Sequence, residues 1–376
     1  MQRAYLPYLK KYLMKKIVLI SGPRQSGKTT ASKMLGPRFD YLNFDNDADR
    51  KTLRDKSWDR KKPLIIFDEI HKLKNWKQWL KGIYDVEGIP PSLIVTGSAR
   101  LDIHKKAGDS LAGRYFSYRL HPLDIRELYT LDKKIHFEKT LDQLLEVGGF
   151  PEPYLENDSK FYTLWKKTHL DVILKQDIVS QEDIKDITSL ELLIDLLKER
   201  VGSPISYSSL AQDLQCSDKT VKHWLSILEN MYVIFKVTPF HKNIARSNLK
   251  QPKYYFYDIA RTQGADGSRF ENLVAASLLK ECHFRQDCLG EDWKLYYLSK
   301  RGGIEIDFLL TQDEKPRCAI EVKLTDETIS KNFAAFAKYL EPKTQLVQLV
   351  KATKREKTYP NGLELRSAGP WLAQWQ

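Results

Sequence analysis

The chain has 376 residues, 42% of them hydrophobic and 29% charged, with a formal net charge of +12 at pH 7. That length exceeds one comfortable core and divides into two or three domains, and no apolar stretch approaches the roughly 20 residues that cross a bilayer, which excludes a membrane protein. The positive excess points to an acidic partner, of which nucleic acid is the commonest, although solvated surface alone also accounts for it.

The first residues, MQRAYLPYLKKYLMKK, alternate apolar and basic positions. They lack the continuous apolar block of a secretory signal and read as an amphipathic first helix. Cys216, Cys282, Cys288 and Cys318 show no CxxC spacing, which suits a reducing, cytoplasmic setting.

The next elements carry the clearest motif. A strand, KKIVLIS, runs into Gly22, Pro23, Arg24, Gln25, Ser26, Gly27, Lys28 and Thr29, and the chain restarts at Lys28 as a helix, TTASKML. This is G-x-x-x-x-G-K-[ST] between a strand and a helix, the context in which it holds a nucleoside triphosphate. The glycines permit backbone torsions that let successive N–H groups face phosphate, Lys28 reaches the β- and γ-phosphates, and Thr29 places a hydroxyl on Mg²⁺. ATP and Mg²⁺ are therefore the expected ligands, with residues 22–30 forming the binding loop.

After one intervening strand, FDYLNFDN, a buried strand, KPLIIFDEI, ends in Asp68 and Glu69, forty residues beyond Lys28. Carboxylates at that end face the ligand crevice of a parallel sheet. Asp68 is the candidate Mg²⁺ ligand and Glu69 the group that polarises the attacking water. A further strand, PSLIVTGSAR, ends in Thr96, Ser98 and Arg100, with Ser98 as candidate sensor of the γ-phosphate. Phosphoryl transfer also needs positive charge on the transferring group. Arg114, in DSLAGRY, is the preferred arginine finger and Arg100 the second candidate. The DEIH at Asp68 to His71 also invites a helicase reading, but no second motor half is present, and His71 reads as an ordinary helix-start residue.

GPRQSGKT, FDEIHKLKNW, TGSARL, LAGRYFSYRLHPLDIREL and GGFPEPY, in that order, resemble the AAA-type archaeal and bacterial ATPase family whose members carry a C-terminal domain of unknown function. The resemblance runs along nearly the whole chain. It implies an AAA-like core over residues 1–128 and a helical lid and linker over 129–200, the lid helices being broken at Gly148, Gly149 and Pro151. AAA-type sites commonly borrow an arginine from a neighbouring copy, which implies a homo-oligomer if the finger acts in trans.

Residues 201–240 give a short helix, a turn near Cys216, a longer helix from Asp218 to Asn230 and a strand, the plan of a winged helix-turn-helix. Leu210, Leu214, Val221, Trp224, Leu225 and Leu228 recur at helical spacing and form its core. Ser217, Lys219, Thr220, Lys222 and His223 cluster where such a helix enters a major groove. Contact with DNA and a packing or self-association role both remain open.

In the last part, residues 241–376, GGIEIDFLLTQDEKPRCAIEVKL alternates so that Ile304, Ile306 and Phe308 share one strand face and Glu305 and Asp307 the other. The next strand points Ile320, Val322 and Leu324 inward and leaves Glu321 and Lys323 together. Asp307 and Glu321, fourteen residues apart, and Lys323 resemble the restriction-endonuclease-like fold. The resemblance implies Mg²⁺ or Mn²⁺ on Asp307 and Glu321, with Lys323 positioning or deprotonating water. Glu271, beside the apolar helix stripe of SRFENLVAASLLKE, is a further candidate ligand.

The expected fold class is thus α/β: a P-loop, AAA-like parallel sheet core with helical lid, a winged helix, and a restriction-endonuclease-like domain. The expected function is Mg²⁺-dependent ATP hydrolysis controlling DNA contact. Two alternatives stand beside it, a nucleotide-dependent switch on a protein partner with an inactive nuclease-like domain, and an ATP-gated metal-dependent nuclease.

Overall fold

The computed structural model describes residues 3–98, 111–178, 186–240, 251–300, 302–325, 328–337 and 340–375. By its contacts the chain forms two compact units, Met1–His121 with Asp287–Leu289, and Pro122–Gln286 with Gly290–Gln376.

Unit 1 contains α1 (Leu6–Tyr12), β1 (Ile17–Ser21), α2 (Lys28–Lys33), β2 (Phe39–Asn43), α3 (Asp47–Asp55), β3 (Leu64–Asp68), α4 (Trp76–Glu87), β4 (Ser92–Gly97) and β5 (Tyr115–Arg119). The strands form one sheet in the order β2-β3-β4-β1-β5, and every pairing is parallel. β1, β3 and β4 are buried from end to end, which is why they read as unbroken apolar runs rather than as alternating ones. Trp58, Phe67 and Trp79 pack edge to face with ring centroids 5.2 to 5.9 Å apart and anchor one side of this core.

Register brings the carboxyl ends of the strands level. Ser21 lies opposite Gly97 on β4 and Arg119 on β5, while Asp68 lies opposite Thr96 on β4 and Asn43 on β2. The loop leaving β1 and the acid ending β3 therefore share one edge of the sheet, where open α/β sheets bind ligands.

Unit 2 begins with α5 (Ile125–Leu131), α6 (Phe137–Val147), α7 (Pro151–Glu156), α8 (Ser159–Val172) and α9 (Ile187–Glu199). The break between α6 and α7 falls at the expected residues. Gly149 admits no side chain, because a Cβ there would lie 2.1 Å from the Leu123 carbonyl oxygen. Next come α10 (Tyr207–Asp213), α11 (Asp218–Asn230), β6 (Ile234–Pro239), β7 (Lys253–Phe256) and α12 (Asp266–Phe284). The unit closes with β8 (Trp293–Ser299), β9 (Glu305–Gln312), β10 (Lys315–Lys323), α13 (Asn332–Phe336), β11 (Gln345–Val350), β12 (Lys357–Thr358), β13 (Leu363–Ser367) and α14 (Ala368–Gln374). Its eight strands are ordered β12-β13-β11-β10-β9-β8-β6-β7.

All six apolar residues expected in the core of the α10/α11 pair are buried, and Ser217 caps α11 by accepting from the Thr220 N–H at 3.1 Å. Residues 122–128 group with unit 2. The division at 240/241 falls inside an antiparallel pair, because β6 bonds to β7 and also runs parallel to β8. The backbone ladder thus joins residues 234–239 to the sheet that follows. Ile304 departs from the predicted face: it precedes β9 and is 38% exposed, whereas Ile306 and Phe308 are fully buried.

Among the described residues no helix is long and apolar enough to cross a membrane.

Candidate functional site

The phosphate-type loop of unit 1 has the backbone its sequence demands. Gly22 has φ +149°, and a Cβ there would meet the Leu120 carbonyl oxygen at 2.3 Å, so both torsion and close approach require glycine. Gln25 and Gly27 also have positive φ. Arg3, itself buried, ties this loop down by donating to the Ser26 and His121 carbonyls at 2.6 Å each. Ser26 Oγ is buried and has no partner among the described residues, an orphaned hydroxyl inside a loop of the chemistry that cradles phosphate. Lys28 is buried, and its Nζ donates to the carbonyls of Gly22 (2.9 Å) and Pro23 (2.6 Å). Arg24 is half-buried, and Gln25 and Thr30 face solvent.

Thr29 Oγ1 donates to Asp68 Oδ2 at 2.8 Å. The same oxygen accepts from the Tyr41 hydroxyl at 2.6 Å, and Thr96 donates to Oδ1. Asp68 is thus oriented by three hydroxyls, the arrangement expected of an acid kept in place for a metal's water shell. Burial, and then the Asp68 carboxylate, raise the Tyr41 hydroxyl well above its ordinary range, so that it remains a donor.

Glu69 turns back with φ +54°. Its Oε2 accepts from Ser98 Oγ at 3.1 Å and from the Ser98 N–H at 3.4 Å, with His71 Nε2 3.5 Å away. Burial raises its carboxyl above the usual range; Lys28 opposes this and Asp68 adds to it. A carboxylate made more basic in this way suits a group that takes a proton from water. Ser98, expected to sense phosphate, sits on Glu69.

The finger candidates fare differently. Arg100 lies outside the described residues. Arg114 is at the other end of the sheet: its carbonyl accepts from the Ile17 N–H, and Tyr115 is paired with Ile17. Four residues of β1 then separate it from Ser21, about 13 Å at ~3.3 Å per residue. Its guanidinium is held by Asp85, with Nε–Oδ1 2.6 Å and Nη2–Oδ2 3.1 Å. Arg114 therefore does not meet the loop of its own chain.

In unit 2, β9 and β10 form the expected hairpin, closed by Asp313 and Glu314, both with positive φ, as a two-residue turn of this kind requires. Phe308 pairs with Ile320, which carries Asp307 to Glu321. Asp307 Oδ2 accepts from the Val322 N–H at 2.8 Å, and Lys323 Nζ is 3.7 Å from Glu321 Oε2. Burial, reinforced by Glu321, pushes the Asp307 carboxyl up to about 7. Glu321 Oε1 accepts from Ser330 and Asn332 at 2.9 Å each.

The predicted three-carboxylate metal set is not assembled. Among the described residues no three His, Cys, Asp or Glu side chains are placed to hold a metal ion. Asp307, Glu321 and Lys323 come together, but Glu271 Oε1 is engaged by the Tyr255 hydroxyl at 2.7 Å and by Lys253 Nζ at 3.6 Å. Lys253 also lies 3.0 Å from Glu305 Oε1.

Sequence reasoning missed Arg3, Tyr41, Lys253, Ser330 and Asn332. Arg3, Tyr41 and Lys253 act across long stretches of chain, and none of the five stands in a motif. A lysine opening the apolar strand KYYF reads as a solvated end, and only tertiary packing reveals it as buried.

Residues 14–129 match the family described as AAA domain. Residues 138–262 and 266–365 match two described as Domain of unknown function, DUF8612 and DUF4143. An uncharacterised protein of Methanocaldococcus jannaschii is 25% identical over 363 residues, covering 88% of this chain and 80% of its own. Uncharacterised proteins of Mycobacterium bovis and Mycobacterium tuberculosis are 26% identical over 246 residues, 64% of this chain. The chain spans 54% of the length of these mycobacterial relatives. Among solved structures, Thermotoga maritima RuvB covers 65% of this chain and 90% of its own at 16% identity and a TM-score of 0.33. The Bacillus subtilis DNA clamp loader delta protein covers 76% and 99% at 13% identity and a TM-score of 0.28. TM-scores this low carry no argument about fold or activity. The chain thus carries an AAA-type domain with a P-loop parallel sheet, followed by two domains of unknown function.

Proposed function

We propose that unit 1 binds and hydrolyses ATP with Mg²⁺, and that its nucleotide state switches the activity of unit 2. The observation that carries this reading is the hydrogen bond from Thr29 to Asp68, 2.8 Å from the first turn of α2 to the end of β3, which joins the hydroxyl after the loop lysine to an acid on a core strand. The two groups suit a shared magnesium ion, which when bound would neutralise phosphate charge. Lys28 exchanges the carbonyls of Gly22 and Pro23 for β- and γ-phosphate oxygens. Glu69 takes the proton of the attacking water, and Ser98 holds Glu69 in the required orientation. A positive charge on the transferring group comes from Arg100 or from a neighbouring copy, for which Arg114 is the candidate. The test is ATP turnover by the purified chain, lost in Lys28→Ala and in Glu69→Gln, with binding lost only in the first.

A second reading concerns unit 2 and is favoured by Asp307 lying beside Glu321, with Lys323 3.7 Å from the latter. It is divalent-metal-dependent cleavage of a phosphodiester, with DNA brought by the exposed Lys219, Lys222 and His223 of a winged-helix-like pair. Nicking of plasmid DNA in Mn²⁺, abolished by Asp307→Ala, is its test. Intact plasmid with ATP turnover preserved would leave the switch alone standing.

A further inference from the structure

Glu271, Glu305, Asp307 and Glu321 belong to four different positions in the sequence and converge on one region of unit 2, where a divalent cation is the expected neutraliser. Besides Lys323, which lies 3.7 Å from Glu321 Oε2, the positive charge found among them is Lys253. Its side chain is fully shielded from solvent, with Nζ 3.0 Å from Glu305 Oε1 and 3.6 Å from Glu271 Oε1. An ammonium buried this completely persists only beside compensating negative charge.

The position of Lys253 is fixed by backbone as well as by charge. It pairs with Val237 in the β6/β7 ladder and bridges to Pro204. Glu271, partly exposed, has other close neighbours. Tyr255 donates to Oε1 at 2.7 Å, and the Gly202 backbone packs so closely that a Cβ there would lie 2.7 Å from Oε2. Oε1 is therefore engaged within the chain by both Tyr255 and Lys253.

We infer that Lys253 is the resident cation of this cluster: its ammonium fills the place beside Glu271 and Glu305 that a divalent ion would take, so that Glu271 ligates no metal in the native chain. The inference holds whether or not Asp307 and Glu321 bind an ion, and it does not depend on ATP hydrolysis in unit 1.

The test is titration of the nucleotide-free full chain with MnCl₂, with free Mn²⁺ followed by electron paramagnetic resonance. The number of Mn²⁺ ions bound per wild-type chain, zero included, is unchanged by Glu271→Gln. Lys253→Met gains one ion per chain, and that gain disappears in Lys253→Met/Glu271→Gln. Because Lys253→Met strips charge from a buried cluster, circular dichroism accompanies it, and Lys253→Met/Glu305→Gln, which removes one negative charge together with the positive one, is the second variant. An ion lost from the wild type on Glu271→Gln overturns the inference, as does failure of Lys253→Met to gain one, or of Lys253→Met/Glu305→Gln where only that variant folds. If neither Lys253 variant folds, the comparison of wild type with Glu271→Gln decides it, an unchanged count supporting the inference and a reduced one overturning it.

Discussion

Thr29 donates its hydroxyl to Asp68 over 2.8 Å, although 39 residues separate them in the chain. The relationship exists because β1 and β3 flank β4 in a parallel register that sets Ser21 opposite Gly97 and Asp68 opposite Thr96. A shift of one residue in either pairing would move the loop and the acid apart and turn alternate side chains to the opposite face.

Removing the loop lysine tests binding. In Lys28→Ala the ammonium that would meet two phosphate groups is gone. Charge-assisted hydrogen bonds are worth about 1.5–3 kcal/mol each, so ATP affinity falls by about two orders of magnitude or more, measured by equilibrium titration. Wild-type affinity in this variant contradicts the assignment.

Glu69→Gln separates chemistry from binding. The amide preserves shape and can still pair with Ser98, but it accepts no proton, so turnover falls by about 10²–10⁴, the usual contribution of a general base, while ATP affinity stays within about threefold. Single-turnover kinetics with matched binding curves check this.

Tyr41→Phe withdraws one of the three hydroxyls on Asp68. The variant loses about 1 kcal/mol of stability, the typical net worth of one such hydrogen bond, read by urea unfolding, and retains ATP binding through Thr29 and Thr96. Unchanged stability would mean that the Tyr41 contact contributes nothing.

Two glycine substitutions have opposite signs. Gly22→Ala drives a methyl to 2.3 Å from the Leu120 carbonyl oxygen and destabilises by about 2 kcal/mol or more. Gly82→Ala, within α4 and with nothing within 4 Å of the new Cβ, stabilises by about 0.5–1 kcal/mol through helix propensity. Thermal unfolding of the two variants side by side measures both.

Glu271 supplies a pH dependence. Burial, then the charge of Asp307, push its carboxyl from the model-compound value of 4.5 up to about 7. The folded state therefore holds a proton that the unfolded chain releases between about pH 4.5 and 7, and the stability linked to that proton is present at low pH and lost as pH rises through 7. Glu271→Gln cannot titrate. The stability of wild type relative to this variant therefore declines across that window, by at most about 1.4 kcal/mol per pH unit for one proton, and levels off above it. A difference that is independent of pH contradicts the prediction.

Much of unit 1 was legible because its signals are local. An apolar strand, two glycines and a lysine at fixed spacing specify the loop, and continuous apolar runs ending in Asp68 and Ser98 specify strands buried on both faces. The β9/β10 hairpin was legible for the same reason, since strict alternation placed Asp307 and Glu321 on shared faces. The place of Arg114 was not legible because proximity in sequence to a core strand says nothing of which end of that strand faces the ligand. Lys253 and Tyr41 were illegible because their partners, Glu271 on α12 and Asp68 on β3, are reached only through helix packing and sheet order, which no single segment encodes. The pairing of β6 was hidden for a related reason: the strand belongs to the helix pair by sequence and to the sheet by hydrogen bonding.

The central claim is that Thr29 and Asp68 jointly serve one magnesium-bound nucleotide. Calorimetric titration of the full chain with a non-hydrolysable ATP analogue, with and without Mg²⁺, tests it directly. The account predicts that Mg²⁺ tightens binding to wild type at least about tenfold, equivalent to ~1.4 kcal/mol, and that Asp68→Asn abolishes this tightening while leaving metal-free binding intact. Equal tightening by Mg²⁺ in wild type and Asp68→Asn would contradict it.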